Sequence, residues 1–310
     1  GIKIGGDLIL APGVTKDVTL VDCVIQGNIR NYGTGEVRFE APQITPESTA
    51  TKPSEVYKPG ATLDRTLEYG GKTVPIYRDR PLNVFSDVDF IWTGEENENQ
   101  RRLEYLGGEF RTRYGIDVSS FQGEINWDAV ADDNIDFAMV RVGFRGTGTG
   151  SLNTDKYYEQ NIRGAMRAGL ETGVYFFAQA VTVEEAIEEA DYVISLLDGL
   201  DINGPVAYDW EMHDSTYRVY GTSPEMATAC AVAFCERIKD AGYTPMVYGG
   251  TYVTYMKYDQ GALADYLSWY PEYKSEKSEK LCPTLVYHMD YWQFSSSWSI
   301  DGIGGKVDAN

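Results

Sequence analysis

Residues 173–211 read GVYFFAQAVTVEEAIEEADYVISLLDGLDINGPVAYDWE, and the change of rhythm inside them decides the fold. GVYFFAQA is an apolar run of strand length. VEEAIEEADYVISLLDG then places Ala186, Ala190, Val193, Ile194 and Leu197 at helical spacing. PVAYDWE returns to a short apolar run. Strand, helix and strand joined by short loops make a parallel pair with a crossover helix.

The same alternation extends in both directions. YGIDVS is followed by the helical WDAVADDN, and FAMVRVG by TDKYYEQNIRGAMRAG, which ends on a glycine suited to a helix C-terminus. SPEMATACAVAFCERIKDAG carries Ser223 as N-cap, Pro224 at the first helical position and Gly242 past the end. PMVYG, YLSWYPEY, HMDYWQF and KVDAN supply the remaining strands. Eight strand candidates in about 200 residues predict an α/β fold, an irregular (β/α) barrel of the TIM-like type.

Before residue 113 the pattern is different. DLILAPG, DVTLVDCVIQGNI, EVRFEAP, KTVPIY and NVFSDVDFIW are short period-two runs between Gly, Pro and Asn, so residues 1–112 are expected to form a smaller β-rich domain. The run VTLVDCVIQGNI suits either a small sheet or a β-solenoid fragment, although no repeat of fixed period stands out. APQITPESTATKPSEVYKPG, at 41–60, reads as an extended connection. Residues 113–310 form the barrel domain in this reading.

Composition narrows the function. Hydrophobic residues at 43% and charged residues at 24% place the chain among soluble globular proteins. No run approaches the length of a membrane-spanning helix, so no membrane insertion is expected. The start, GIKIGGDLIL, lacks the basic and apolar regions of a leader, so any signal peptide is expected to be missing from this sequence. Of the net charge of −20, residues 1–113 carry −3 and residues 114–310 carry −17. Such a surface repels nucleic acid. The acidic run EEAIEEAD reads as a solvated helix face. Cys23, Cys230, Cys235 and Cys282 form no CxxC pair and are read as reduced and mostly buried. With only His213 and His288 and no HExxH, no metal and no cofactor is expected. Nor does RGTGTGS match a phosphate-binding loop, because residue 151 is serine and no lysine follows.

A barrel of this kind works at the C-terminal ends of its strands. The polar residues there are Asp117, Arg141, Gln179, Asp209, Glu211, Tyr248, Trp269, Gln293, Asp308 and Asn310. Carboxylates, amides and aromatic rings on one rim suit a carbohydrate. Alternation puts Asp209 and Glu211 on the same side, roughly 6.6 Å apart along the backbone, and turns Trp210 into packing. Two like charges so close raise the proton affinity of one, which suits a general acid. Both acids on one strand also favour assistance from a substrate acetamide over a carboxylate nucleophile facing the acid across the scissile bond. His213 is read as a hydrogen-bonder at the rim, and Trp127 and Trp298 as packing.

YGIDVSSFQGEINW, FAMVRVGFRGTGTG, GVYFFAQA, PVAYDWE, FCERIKDAGYTPMVYG and YWQFSSSWSIDGIGGKVDAN, in that order, resemble the glycoside hydrolase family 25 lysozymes, the Chalaropsis-type N-acetylmuramidases. The resemblance runs from about 114 to 310. It implies a barrel with an incomplete set of helices that cleaves the β-1,4 bond between N-acetylmuramic acid and N-acetylglucosamine. It further implies Glu211 as proton donor, with Asp209, Asp117 and Asp308 in support and the 2-acetamido group of the substrate assisting. Tyr175, Tyr248, Trp269, Trp292 and Gln293 would line the groove, joined by Gln179 and Arg141. Tyr175-Phe176-Phe177 stands where many members have YHF, and WYPEY departs from their WxA. Peptidoglycan glycan strands are the implied partner and an extracellular or wall-associated location follows, with residues 1–112 left to bind wall or self-associate. A chitinase-like hexosaminidase and a wall-binding protein with little catalysis are the alternatives.

Overall fold

The computed structural model describes residues 2–4, 8–10, 15–21, 23–25, 29–31, 34, 37–40, 51–94 and 100–310. They fall into two compact units, 1–49 and 50–310.

The second unit is built on a ten-stranded sheet whose path follows nine strands, β1 (Gly115–Val118), β2 (Phe137–Arg145), β3 (Glu171–Ala178), β4 (Val206–Trp210), β5 (Pro245–Tyr248), β6 (Leu267–Pro271), β7 (Tyr291–Gln293), β8 (Ser295–Trp298) and β9 (Val307–Ala309), with the short strand Leu152–Thr154 added antiparallel to β2. Around the sheet they run β7-β6-β5-β4-β3-β2-β1-β9-β8. From β1 to β7 every pairing is parallel. β9 lies antiparallel to β1, and β8 antiparallel to β9. The edge strands β7 and β8 are consecutive in the chain with Phe294 alone between them, and the Phe294 N–H donates to the Ala309 carbonyl at 2.9 Å. The sheet therefore nearly closes on itself, an α/β barrel-like fold with all eight expected strands present. Its last strand departs from the expected parallel pattern. Only residues 299–306 separate β8 from β9, too few for a crossover, so the chain turns straight back.

Helices α1 (Trp127–Asp132), α2 (Tyr158–Arg167), α3 (Val183–Leu196), α4 (Pro224–Asp240) and α5 (Thr251–Met256) fill the connections from β1 to β6. Their ends follow the expected capping chemistry. The Met226 N–H donates to the Ser223 hydroxyl at 3.2 Å, and the Glu185 N–H to the Thr182 hydroxyl at 3.2 Å. Gly242, just beyond α4, has a φ of 92° that residues with a Cβ rarely adopt. Alternation along the strands sorts the side chains into two layers. Val140, Val174, Phe176, Tyr208, Trp210 and Val247 point outward to Ala186, Ala190, Cys230 and Phe234 on the helices. Phe137, Met139, Ala207, Met246, Tyr248 and Trp269 point inward and fill the lumen. Trp127 and Trp298 are packing residues, as expected. The thiols of Cys230, Cys235 and Cys282 are free and buried.

No helix connects β6 to β7, and the gap explains where residues 51–112 lie. The hairpin Leu63–Tyr69 with Lys72–Tyr77 turns through Gly70 and Gly71, whose φ values of 57° and 73° suit a two-residue hairpin turn. Its Val74 and Ile76 pack on Tyr255, Tyr270, Leu285, Tyr287 and Met289. Arg80, buried, donates to the carbonyls of Leu263 and Tyr266 at 3.1 and 2.7 Å. A second hairpin, Phe90–Thr93 with Arg102–Tyr105, sets Phe90 edge-on against Trp292 and Trp92 against Phe294. These residues cover barrel surface that a complete set of helices would cover. By compactness the chain divides at 49/50, and Val74, Ile76, Phe90 and Leu103, from before residue 112, are buried in clusters shared with barrel residues.

In the first unit three pairs of short parallel strands occur: Ile2–Ile4 with Cys23–Ile25, Leu8–Leu10 with Ile29–Asn31, and Val18–Val21 with Val37–Glu40. Each strand pairs with one 19 to 21 residues further on. Parallel pairing at this offset is compatible with the stacked coils of a β-solenoid, one of the two arrangements open from the sequence, and many of the intervening residues lie outside the described ones. Among the described residues no helix is long and apolar enough to cross a membrane.

Candidate active site

The four acids meet inside the barrel mouth. Asp117 on β1 stands directly opposite Asp308 on β9 in the ladder. Asp209 on β4 lies opposite Phe177 on β3 and Tyr248 on β5. Glu211 follows the last residue of β4, and it and Asp209 act on each other's proton affinity. Asp117 and Asp308 act on one another in the same way. Carboxyl groups this close disfavour ionisation of both members, so the site is two carboxyl pairs rather than four independent charges.

Burial is the main cause of their raised proton affinity. Asp117 is pushed up to about 8, first by burial and then by the charge of Asp308, with the amides of Asn310 and Gln293 opposing. Those amides donate to Asp117 Oδ2 at 2.9 and 2.8 Å. Asp308 is raised to about 6 by burial. Asp209 lies well above the usual carboxylate range through burial, then the charges of Glu211 and Asp117, while Arg141 acts the other way. Glu211 is raised by burial and held down by His213, whose Nε2 lies 3.3 Å from Oε2, and then by Asp209. Asp209 Oδ1 is buried with no protein group bonded to it among the described residues.

A prediction follows from Asp117. Its proton affinity is higher folded than unfolded, where aspartate titrates near 3.9. Between that pH and about 8 the folded state binds a proton that the unfolded chain has released. Stability from this group is thus greatest at low pH and is lost as pH rises through the window. Asp117→Asn imitates the protonated form and no longer titrates. Calorimetry should show little change in Tm at pH 4.5 and a gain of about 4 °C at pH 8 relative to the unsubstituted protein.

Around the acids, Tyr175, Tyr248, Trp269 and Gln293 form the floor and wall. The Tyr248 hydroxyl donates to Gln293 Oε1 at 3.2 Å, and Trp269 Nε1 donates to Asn310 Oδ1 at 2.7 Å. Trp269 meets Tyr248 and Tyr175 edge-on, with centroids 4.9 and 5.8 Å apart. It is only 2% exposed, so it is a floor residue rather than an open stacking platform. Arg141 stands at the mouth, its Nε and Nη2 both bound to Asp155 Oδ2 at 3.0 and 2.8 Å.

Two expected groove residues are elsewhere. Trp292 alternates with Tyr291 and Gln293 and so faces outward, donating to the Glu272 carbonyl at 3.1 Å and packing on Phe90. Gln179 is fully buried behind Glu211, donating to its backbone carbonyl at 2.7 Å. Sequence reading missed Tyr273, which is 52% exposed and donates to Gln293 Oε1 at 3.2 Å, and Phe121, 84% exposed beside the Arg141 guanidinium. Both lie in loops just past strand ends, and that position was their available signal. His213 is an exposed rim residue against Tyr217, as read. Among the described residues no group of three or more His, Cys, Asp and Glu side chains is arranged to hold a metal ion. An aromatic cavity of about 350 Å³ lies at the opposite end of the strands, where Phe137 and Tyr291 begin β2 and β7, and takes no part in this site.

Comparison with known proteins bears on the family and the fold. The profile of the Glycosyl hydrolases family 25 matches residues 116–303. An autolytic lysozyme of Clostridium acetobutylicum is 26% identical over 195 residues, 63% of this chain and 54% of that protein. A lysozyme of Streptomyces globisporus is 27% identical over 201 residues, 63% of this chain and 66% of that protein. The chain thus spans between half and two thirds of these relatives' length. Among solved structures, the modular autolysin LytC of Streptococcus pneumoniae superposes with a TM-score of 0.55 at 24% identity, over 79% of this chain and 57% of that one. A bacterial lysozyme of Streptomyces coelicolor gives 0.51 at 24% identity, over 65% and 92%. These likenesses carry the fold.

Proposed function

Because the chain belongs to glycosyl hydrolase family 25, we propose that its barrel hydrolyses peptidoglycan, at the β-1,4 bond between N-acetylmuramic acid and N-acetylglucosamine. The observation that carries the proposal is the Asp209–Glu211 pair on one inner face, both raised by burial, with Asp209 Oδ1 buried without a protein partner among the described residues. A buried acceptor of this kind is costly unless something uses it. The N–H of a 2-acetamido group is the complementary donor.

In this reading Glu211 gives its proton to the glycosidic oxygen as the bond from that oxygen to the anomeric carbon breaks. The acetamide carbonyl oxygen attacks the same carbon and closes an oxazolinium ring, whose positive charge Asp209 balances. Water then opens the ring at the anomeric carbon, and the Glu211 carboxylate takes the water's proton. Asp117 and Asp308 lie beneath, and their raised proton affinity limits the negative charge that faces the sugar. Arg141, held by Asp155 at the mouth, offers a guanidinium N–H to the substrate. The mouth faces a wall polymer, so the place of action is at the cell wall, outside the cytoplasm.

Digestion of purified peptidoglycan alongside chitin oligomers tests this. Soluble muropeptides from the first with no cleavage of the second are expected. Turnover of chitin alone would make the protein a chitinase-like hexosaminidase, and cleavage of neither would leave it a wall-binding protein.

A further inference from the structure

Gln179 does not face the mouth, and within the acidic run of α3 Glu184, Glu188 and Asp191 are exposed as expected while Glu189 is not. Glu189 is fully buried and accepts from Arg145 Nε at 2.7 Å and from the Gln179 N–H at 3.0 Å. Arg145 is itself 4% exposed and reaches Glu188 Oε2, the Glu185 carbonyl and the Gly150 carbonyl at 2.7, 3.0 and 2.8 Å. Arg218 clasps both oxygens of Glu185 at 2.8 and 2.7 Å and donates to the Gln179 carbonyl at 2.9 Å.

These bonds take both backbone groups of Gln179 away from the sheet. The β3–β4 ladder ends at Ala178 opposite Trp210. One residue further, where the ladder would next hold Glu211, the side-chain amide of Gln179 supplies the bond to the Glu211 carbonyl at 2.7 Å. The proposed proton donor therefore hangs from an amide that two ion pairs hold in place.

We propose that Gln179 is a positioning residue for Glu211, fixing the peptide from which the carboxyl leaves β4, with Glu189–Arg145 and Glu185–Arg218 fixing Gln179. The inference rests on Glu211 being the proton donor. A displacement of about 1 Å at such a group costs about 10²-fold in rate.

The test uses Gln179→Met, which keeps the volume and loses the donor, and Gln179→Glu, which sets an acceptor against the carbonyl. Two readouts are taken on the full chain: kcat and KM on peptidoglycan, and the Glu211 carboxyl titration by ¹³C NMR. For Gln179→Met, kcat should fall about 10²-fold with KM within about twofold. Glu211, released toward water, should titrate lower and carry the alkaline limb of the kcat profile down with it. Gln179→Glu should lose more. Should Gln179→Met fail to fold, the isosteric Gln179→Glu carries both readouts. A raised KM with unchanged kcat would make Gln179 a substrate contact, and an unchanged titration would remove the positioning role. If the unsubstituted protein leaves peptidoglycan intact, the function is wrong. The titration shift still decides whether Gln179 positions Glu211.

Discussion

Glu211→Gln should release no measurable muropeptide from purified peptidoglycan. The substitution keeps the shape of the side chain and removes the transferable proton, and positioned general acids contribute about 10²–10⁴-fold to such reactions. Loss at the upper end is expected, because both steps of the proposed mechanism pass a proton through this one group. Stability should hardly change. The side chain is 29% exposed, and an amide of the same shape keeps its place beside Asp209 and His213. A Tm within about 2 °C of the unsubstituted protein would show that the loss is chemical. Undiminished release would mean that another group donates the proton.

Asp209→Asn should lower kcat by about 10²–10³-fold and leave measurable turnover. The amide oxygen can still accept from an acetamide N–H, so the substrate is still oriented. It carries no charge to balance an oxazolinium ion, so the effect falls on kcat with KM nearly unchanged. Burial makes the difference large, because a charge in a water-excluded site is weakly screened. Normal turnover by this variant would remove the role assigned to Asp209.

Much of the fold was legible because barrel strands are short apolar runs bounded by helix caps. Ser223, Pro224 and Gly242 marked α4 by local chemistry. The acids were legible for the same reason: a carboxylate ending an apolar run has few places to be except the barrel mouth. What escaped depends on residues far apart in the chain. Glu189 looked like part of a solvated face because its partner, Arg145, is 44 residues away. Trp292 looked like a groove ring until the register of β7 fixed Gln293 inward and its neighbour outward. Residues 51–112 looked like part of a separate domain, since nothing local reveals that the β6–β7 connection lacks a helix. Gln179 was found as a strand-end amide, yet its direction depends on Glu189 and Arg218.

The account stands most directly on which glycosidic bond is cut. In the peptidoglycan digest described above, reduction of the new sugar ends followed by mass spectrometry identifies the residue at each cut. N-acetylmuramitol at the reducing termini is the predicted result, since the acetamide beside the broken bond then belongs to the muramic residue. N-acetylglucosaminitol there would contradict the account.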